Sequence, residues 1–205
     1  DVWLVNLTGE EFPSDCVGAR HLAQALVQGT LQMRLRSGQM HDLSAVRVVG
    51  AYVLDMIGHN RENDLDDFQI SPGRGRGSLE LARQAHIANL LWNVGAKKWN
   101  KSPDRHGKGR GKRISGKIAI PEVAEHLRLQ GEVRLPEDPR SSLFNTDGQV
   151  LSDSGIPVVL FMENYDINRS GYHDRLDTLE NIDLDYGAAV AAIAIEAVAR
   201  VATRV

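Results

Sequence analysis

The chain opens on an apolar run, residues 2–5 (VWLV), that ends at Thr8-Gly9 and two adjacent carboxylates, Glu10 and Glu11. A short β-branched and aromatic run bounded by Thr-Gly predicts a buried strand, with the carboxylates just past its C-terminal end. Residues 12–16 are turn-rich. Residues 17–28 set Leu22, Ala25 and Leu26 near one face and predict a helix, with Gly29 as its C-cap. After a turn at 42–44, a second apolar run over 46–56 (VRVVGAYVLDM) reads as a strand, again closing on a carboxylate, Asp55. Residues 59–77 are polar and glycine-rich and read as a loop. Ser78 is placed to cap a helix over 79–93, whose Leu81, Ala85, Ala88 and Trp92 form one stripe. Residues 136–142 form a linker, and residues 155–162 (GIPVVLFM) predict a third strand, with Pro157 tolerable near its start. A polar loop over 163–178 leads to a last, Ala-rich helix from Asp185 or Tyr186 to about Arg204. Its apolar residues go nearly all round, so it is expected to pack against the sheet, and Gly187 costs it some helix stability.

The order strand, helix, strand, helix, strand, helix predicts an α/β fold. The expected form is a three-layer sandwich with a mostly parallel or mixed sheet and helices on both faces. At 205 residues the chain is read as one domain, 1–205, with enough length for a sizeable core. Apolar content of 42% and a net charge of −3 exclude a disordered chain and give no global pull toward nucleic acid. Residues 187–199 are apolar apart from Glu196 but too short to cross a bilayer, so no membrane partner is expected. The single Cys16 cannot form an internal disulfide and reads as a small buried hydrophobe. Residues 97–117 carry nine Lys or Arg against one acid, Asp104, among glycines 107, 109 and 111. This stretch reads as a solvated basic loop or insertion. A nucleic-acid contact is its alternative, with only Trp99 offered for base stacking.

In open α/β sheets ligands bind beyond the carboxyl ends of the strands. The three predicted strand ends carry Glu10–Glu11, Asp55, and the loop that holds His173. Neighbouring side chains in an extended chain point to opposite sides. One glutamate of the pair can therefore hold a metal while the other moves a proton. Glu, Asp and His are the ligand types that suit zinc in catalytic sites.

Four segments then carry a resemblance: T-G-E-E at 8–11, V-L-D-M-I-G at 53–58, G-I-P-V-V-L-F at 155–161 and Y-H-x-x-x-D-T at 172–178. In that order the chain resembles the co-catalytic zinc aminopeptidases, a family related to glutamate carboxypeptidases, transferrin-receptor-like proteins and glutaminyl cyclases. The resemblance runs from Val2 to about Ala202, and residues 97–135 contribute no motif to it. It implies a zinc-dependent peptidase acting on a peptide substrate, with two zincs in a complete site. It implies Glu10 as general base, Glu11 and His173 as ligands of one zinc, and Asp55 as a ligand of the other. It implies a supporting role for Asp147, although the flanking Asn145-Thr146 and Gly148 depart from the family pattern. Asp177 would orient the His173 loop or cap a helix near Leu179. The family's His-x-Asp motif before the glutamate pair has no counterpart here. The chain is therefore expected to be the C-terminal part of such an enzyme, with the N-terminal strands of the sheet missing. The remaining ligands would come from another chain or a cleaved segment. A non-catalytic relative whose fold serves interaction is the alternative.

Overall fold

The computed structural model describes residues 1–61, 65–95, 127–164 and 171–203. The basic stretch at 97–117 lies outside the described residues. The elements are α1 (Val17–Gln28), β1 (Gln32–Arg34), β2 (Met40–Asp42), β3 (Ala51–Leu54), β4 (Asp67–Pro72), α2 (Arg76–Gly95), β5 (Gln130–Val133), α3 (Asp147–Asp153), β6 (Val158–Glu163) and α4 (Leu184–Ala202). The fold is α/β with a mixed sheet. Strands β1 and β2 form a separate, exposed antiparallel hairpin. The main sheet has the order β3-β6-β4-β5. Strands β3 and β6 run parallel, with Ala51 opposite Val158 and Leu54 opposite Phe161. Strand β4 runs parallel to β5 and antiparallel to β6.

Strand β6 is buried along its whole length. A strand covered on both faces is apolar at successive positions rather than alternating, which is how VVLFM reads. Its two faces feed two cores. Val159 and Phe161 pack with Phe68 and Ile70 of β4 under α2 and α4, through Leu81, Ala85, Ile193 and Ala197 among others. Val158, Leu160 and Met162 pack on the opposite side with Ala23 of α1, Leu151 of α3 and Leu143. Helices thus cover both faces of the sheet. The Phe68 and Phe161 rings stack with centroids 5.8 Å apart.

Four features correct the sequence reading. Residues 2–5 are not a buried strand: among the described residues no strand pairs with them, and Leu4 is 96% exposed. An apolar run without a neighbour to take its backbone hydrogen bonds gains nothing from the β form. The strand expected over 46–56 is paired only at Ala51–Leu54. The loop expected over 59–77 contains β4, which lies between β6 and β5 and is the least legible strand. Its Asp-Phe-Gln-Ile-Ser-Pro looks polar, yet Gln69 and Ser71 are fully buried. Their polar atoms are satisfied locally: Gln69 accepts from the Ser71 hydroxyl (2.9 Å) and the Ser142 amide (3.1 Å), and donates to Ser142 Oγ and to the Glu163 carbonyl (both 3.2 Å). Finally, α2 begins at Arg76, so Ser78 lies inside it. The Ser78 hydroxyl donates to the Arg74 carbonyl and accepts from the Val158 amide, fastening the helix to β6.

Helix α1 spans the expected residues and ends on Gly29 at φ 61°. Helix α4 starts at Leu184, capped by the Asp183 carboxylate accepting from the Tyr186 amide. Gly187 has a packing reason: a Cβ there would lie 3.0 Å from the Ile57 carbonyl oxygen, so the helix closes directly on the loop after Asp55. No described helix is long and apolar enough to cross a membrane.

Candidate active site

Because β3 and β6 are parallel, their carboxyl ends lie side by side, and a cavity of about 510 Å³ opens there. Glu10, Glu11, Asp55, His173 and Asp177 all line it. Asp55 follows β3, and its amide donates to the Phe161 carbonyl (3.1 Å). Glu10 and Glu11 arrive from a chain reversal rather than a strand end. The carbonyls of Thr8, Gly9, Glu10 and Glu11 accept in turn from the amides of Gly18, Val17, Cys16 and Ser14 at 2.9–3.0 Å. This ladder folds residues 8–11 back along the start of α1, through a turn with a cis Phe12–Pro13 bond. Gly9 is needed there: φ is +65°, and a Cβ would come within 2.5 Å of a Val17 methyl.

His173 comes from the loop after β6. Its Nε2 lies 3.2 Å from Glu11 Oε1, and its ring packs against Tyr172 with centroids 4.1 Å apart. Asp177 sits in the same loop, its amide donating to the Asp174 carbonyl (3.1 Å). It does not start a helix. A 3₁₀ turn follows at Leu179–Asn181 with Thr178 at the cap position and no side-chain cap bond. Asp147 is the first residue of α3, behind Glu10 and Asp55, whose carboxyls its charge raises.

Among the described residues, five non-glycine positions have positive φ, and four of them (Asp15, Cys16, Met56 and His173) line this cavity. Such conformations cost about 1–3 kcal/mol each and persist where the surroundings impose them, which is common at functional sites.

The electrostatics follow from crowding of acids. Burial first, then the charges of Asp55, Glu11 and Asp147, raise the Glu10 carboxyl above its ordinary value, while His173 opposes them. Asp55 is raised by burial and by Asp147 and Glu11. Asp147 is raised by burial, with the neighbouring Cys16 thiol acting the other way; the Cys16 Sγ itself donates to the Glu10 carbonyl (3.8 Å). The Cys16 thiol is pushed up to about 12 by burial and by the charges of Asp147 and Glu10. Charges of one sign in a partly desolvated cleft disfavour one another until a cation or proton arrives.

Whether a zinc fits can be tested on the donors. Two ligands on a tetrahedral zinc, each about 2.0–2.2 Å from it, stand about 3.3–3.6 Å apart. The 3.2 Å between His173 Nε2 and Glu11 Oε1 is slightly short of that spacing and is a hydrogen-bond distance. Among the described residues, no three His, Cys, Asp or Glu side chains are grouped to hold one ion. The site offers a two-donor clamp in an acid-rich cavity.

Two further residues of this cavity were not singled out by the sequence. Glu163 closes β6 and is 2% exposed; His59 lies four residues beyond Asp55 and is also buried. A carboxylate directly after an apolar strand was the signal that found Asp55, and it applies equally to Glu163. No family model, curated protein or solved structure matches the chain.

Proposed function

We propose that the chain carries the catalytic base and part of the metal-binding set of a zinc-dependent metallopeptidase of the aminopeptidase type. Its sheet would be that of the co-catalytic zinc aminopeptidases. The observation that carries this reading is the meeting of Glu10, Glu11, Asp55 and His173, from three segments far apart in sequence, on one cavity. Glu11 and His173 would hold one zinc, and Asp55 would hold a second. Bound zinc would supply Lewis acidity toward the scissile carbonyl.

The chain's own groups do the rest. Glu10, adjacent to a ligand but not itself one, accepts the proton of the attacking water and returns it to the leaving amine, a contribution of about 10²–10⁴-fold. Burial, and then the neighbouring carboxylates, raise its carboxyl above its ordinary value. The excess of carboxylates favours the cationic α-amino end of a peptide over its carboxylate end. Met56, Phe144 and Ile182 also line the cavity and give it apolar surface.

The test is Glu10→Gln in the zinc-loaded protein, assayed on aminoacyl anilides against the unsubstituted protein. Hydrolysis is expected to fall by about 10²–10⁴-fold with zinc content unchanged. Full activity in this variant would remove Glu10 from the role given to it.

A further inference from the structure

We propose that Glu163 is the positioning residue for Asp55. The inference rests on the zinc reading only for its functional consequence; the clamp itself is geometric. Glu163 grips the 55–59 loop at two points. Its backbone amide donates to the Met56 carbonyl (2.9 Å), and its side-chain Oε2 accepts from the His59 amide (2.6 Å). The second bond is short, as expected when a carboxylate accepts from a backbone amide in a buried place. Asp55 immediately precedes this grip, and Met56 stands at φ 47°, so the chain turns sharply between Asp55 and the Glu163 contacts. A left-handed methionine holds only where its surroundings impose it.

Glu163 is itself fixed from the far side. Its carbonyl accepts from Gln69 Nε2 (3.2 Å), and Gln69 also bonds Ser142. A buried polar network therefore runs from β4 through the end of β6 to the loop that bears Asp55. A half-satisfied network of this kind is costly and a satisfied one is rigid. Partners that orient a metal ligand typically change metal affinity by about 10–100-fold when removed. The loop has a second tether, the Asp183 amide donating to the Gly58 carbonyl (2.7 Å), so losing the Glu163 side chain frees the loop without detaching it.

The experiment compares the full-length chain with Glu163→Ala, Glu163→Gln and Asp55→Ala. It measures amide exchange across 55–59, zinc affinity by titration against a chelator, and folding by circular dichroism. Glu163→Ala is expected to lose protection at His59 and to bind zinc about 10–100-fold more weakly, whereas Glu163→Gln, whose amide oxygen still accepts from His59, stays within about threefold of wild type. A folded Glu163→Ala with wild-type zinc affinity overturns the proposal, since a merely structural role would lower the melting temperature alone. So does a Glu163→Gln as impaired as the alanine variant. If Glu163→Ala does not fold, Glu163→Gln decides: preserved protection and affinity support the proposal, and their loss overturns it. If Asp55→Ala binds zinc like wild type, the zinc reading fails, and the clamp is then judged by exchange at His59 alone.

Discussion

Asp55 and His173 face the same cavity from supports of different kinds. Asp55 follows β3, and the residues around it are bonded to Phe161 and Glu163 of the buried central strand. His173 stands in a loop whose described hydrogen bonds run largely within the loop, Asp174 accepting from Gly171 and Leu176. Its contact with Glu11 joins two side chains that are 51% and 68% exposed. One wall of the cavity is thus set by the sheet, and the other rests on a contact between two surface side chains. A cation at the Glu11–His173 pair would do for that wall what the β6 ladder already does for Asp55.

The largest break in this comparison is expected from Phe161→Ala. Phe161 is fully buried, stacks on Phe68 and sits in the ladder opposite Leu54. The change should cost about 3–5 kcal/mol in denaturant unfolding, through lost transfer energy and the cavity left behind. It should also disturb the Asp55 wall first. His173→Ala should do the reverse. A contact between two exposed side chains contributes about 0–1 kcal/mol, so stability should hold while zinc affinity by calorimetry falls at least about tenfold. Equal stability losses in the two variants would mean the walls are not built differently.

A third effect concerns pH. Glu10, Asp55 and Asp147 all have carboxyls raised in the folded state, so the fold binds their protons more tightly than the unfolded chain does. Their contribution is therefore complete below the ordinary values of 3.8–4.5 and is lost as pH rises through the raised ones. Asp42 and Asp138 are lowered and act in the opposite sense, but only below 3.8. With a chelator present, these three groups should make the melting temperature fall as pH rises from the ordinary carboxylate values of 3.8–4.5 through the raised ones, and saturating zinc should flatten or reverse that slope. A Glu10→Gln, Asp55→Asn, Asp147→Asn triple variant that keeps the wild-type pH dependence over that range would contradict the crowding described for these acids.

The smallest effects are expected at Cys16 and at residues 2–5. With its thiol pushed up to about 12, Cys16 should react with iodoacetamide at pH 8 at least about a hundredfold more slowly in the native protein than in urea. Leu4→Ser, at an exposed position, should leave stability within about 0.5 kcal/mol.

The same contrast explains what the sequence made legible. Helix α1, helix α4 and strand β6 were readable because each carries its own periodicity, cap or apolar run. Strand β4 was not, because Gln69 and Ser71 are buried by virtue of partners at Ser142 and Glu163, and distant partners leave no mark on local pattern. Residues 2–5 failed in the opposite way: their local pattern is that of a strand, but a strand is a property of two segments. The site residues meet at the cavity even though Glu10 and Glu11 reach it by a turn along α1 instead of a strand end. The residue types advertised the chemistry, while the route that brings them together could only be seen in three dimensions. Glu163 escaped notice because it was read as the first residue of a loop rather than the last of a strand.

Among the described residues, strand β3 lies at the border of the sheet, paired with β6 alone. Leu54 and Val49 are exposed nearby, and residues 2–5 offer an apolar stretch of high β propensity. An open strand border is a template for chain-to-chain pairing, and an exposed apolar segment of strand-forming residues adds to it. The behaviour of this polypeptide in a concentrated tube is therefore set less by its interior than by that border. Turbidity and gel formation should begin there, and a charged residue placed on β3 should keep the solution clear.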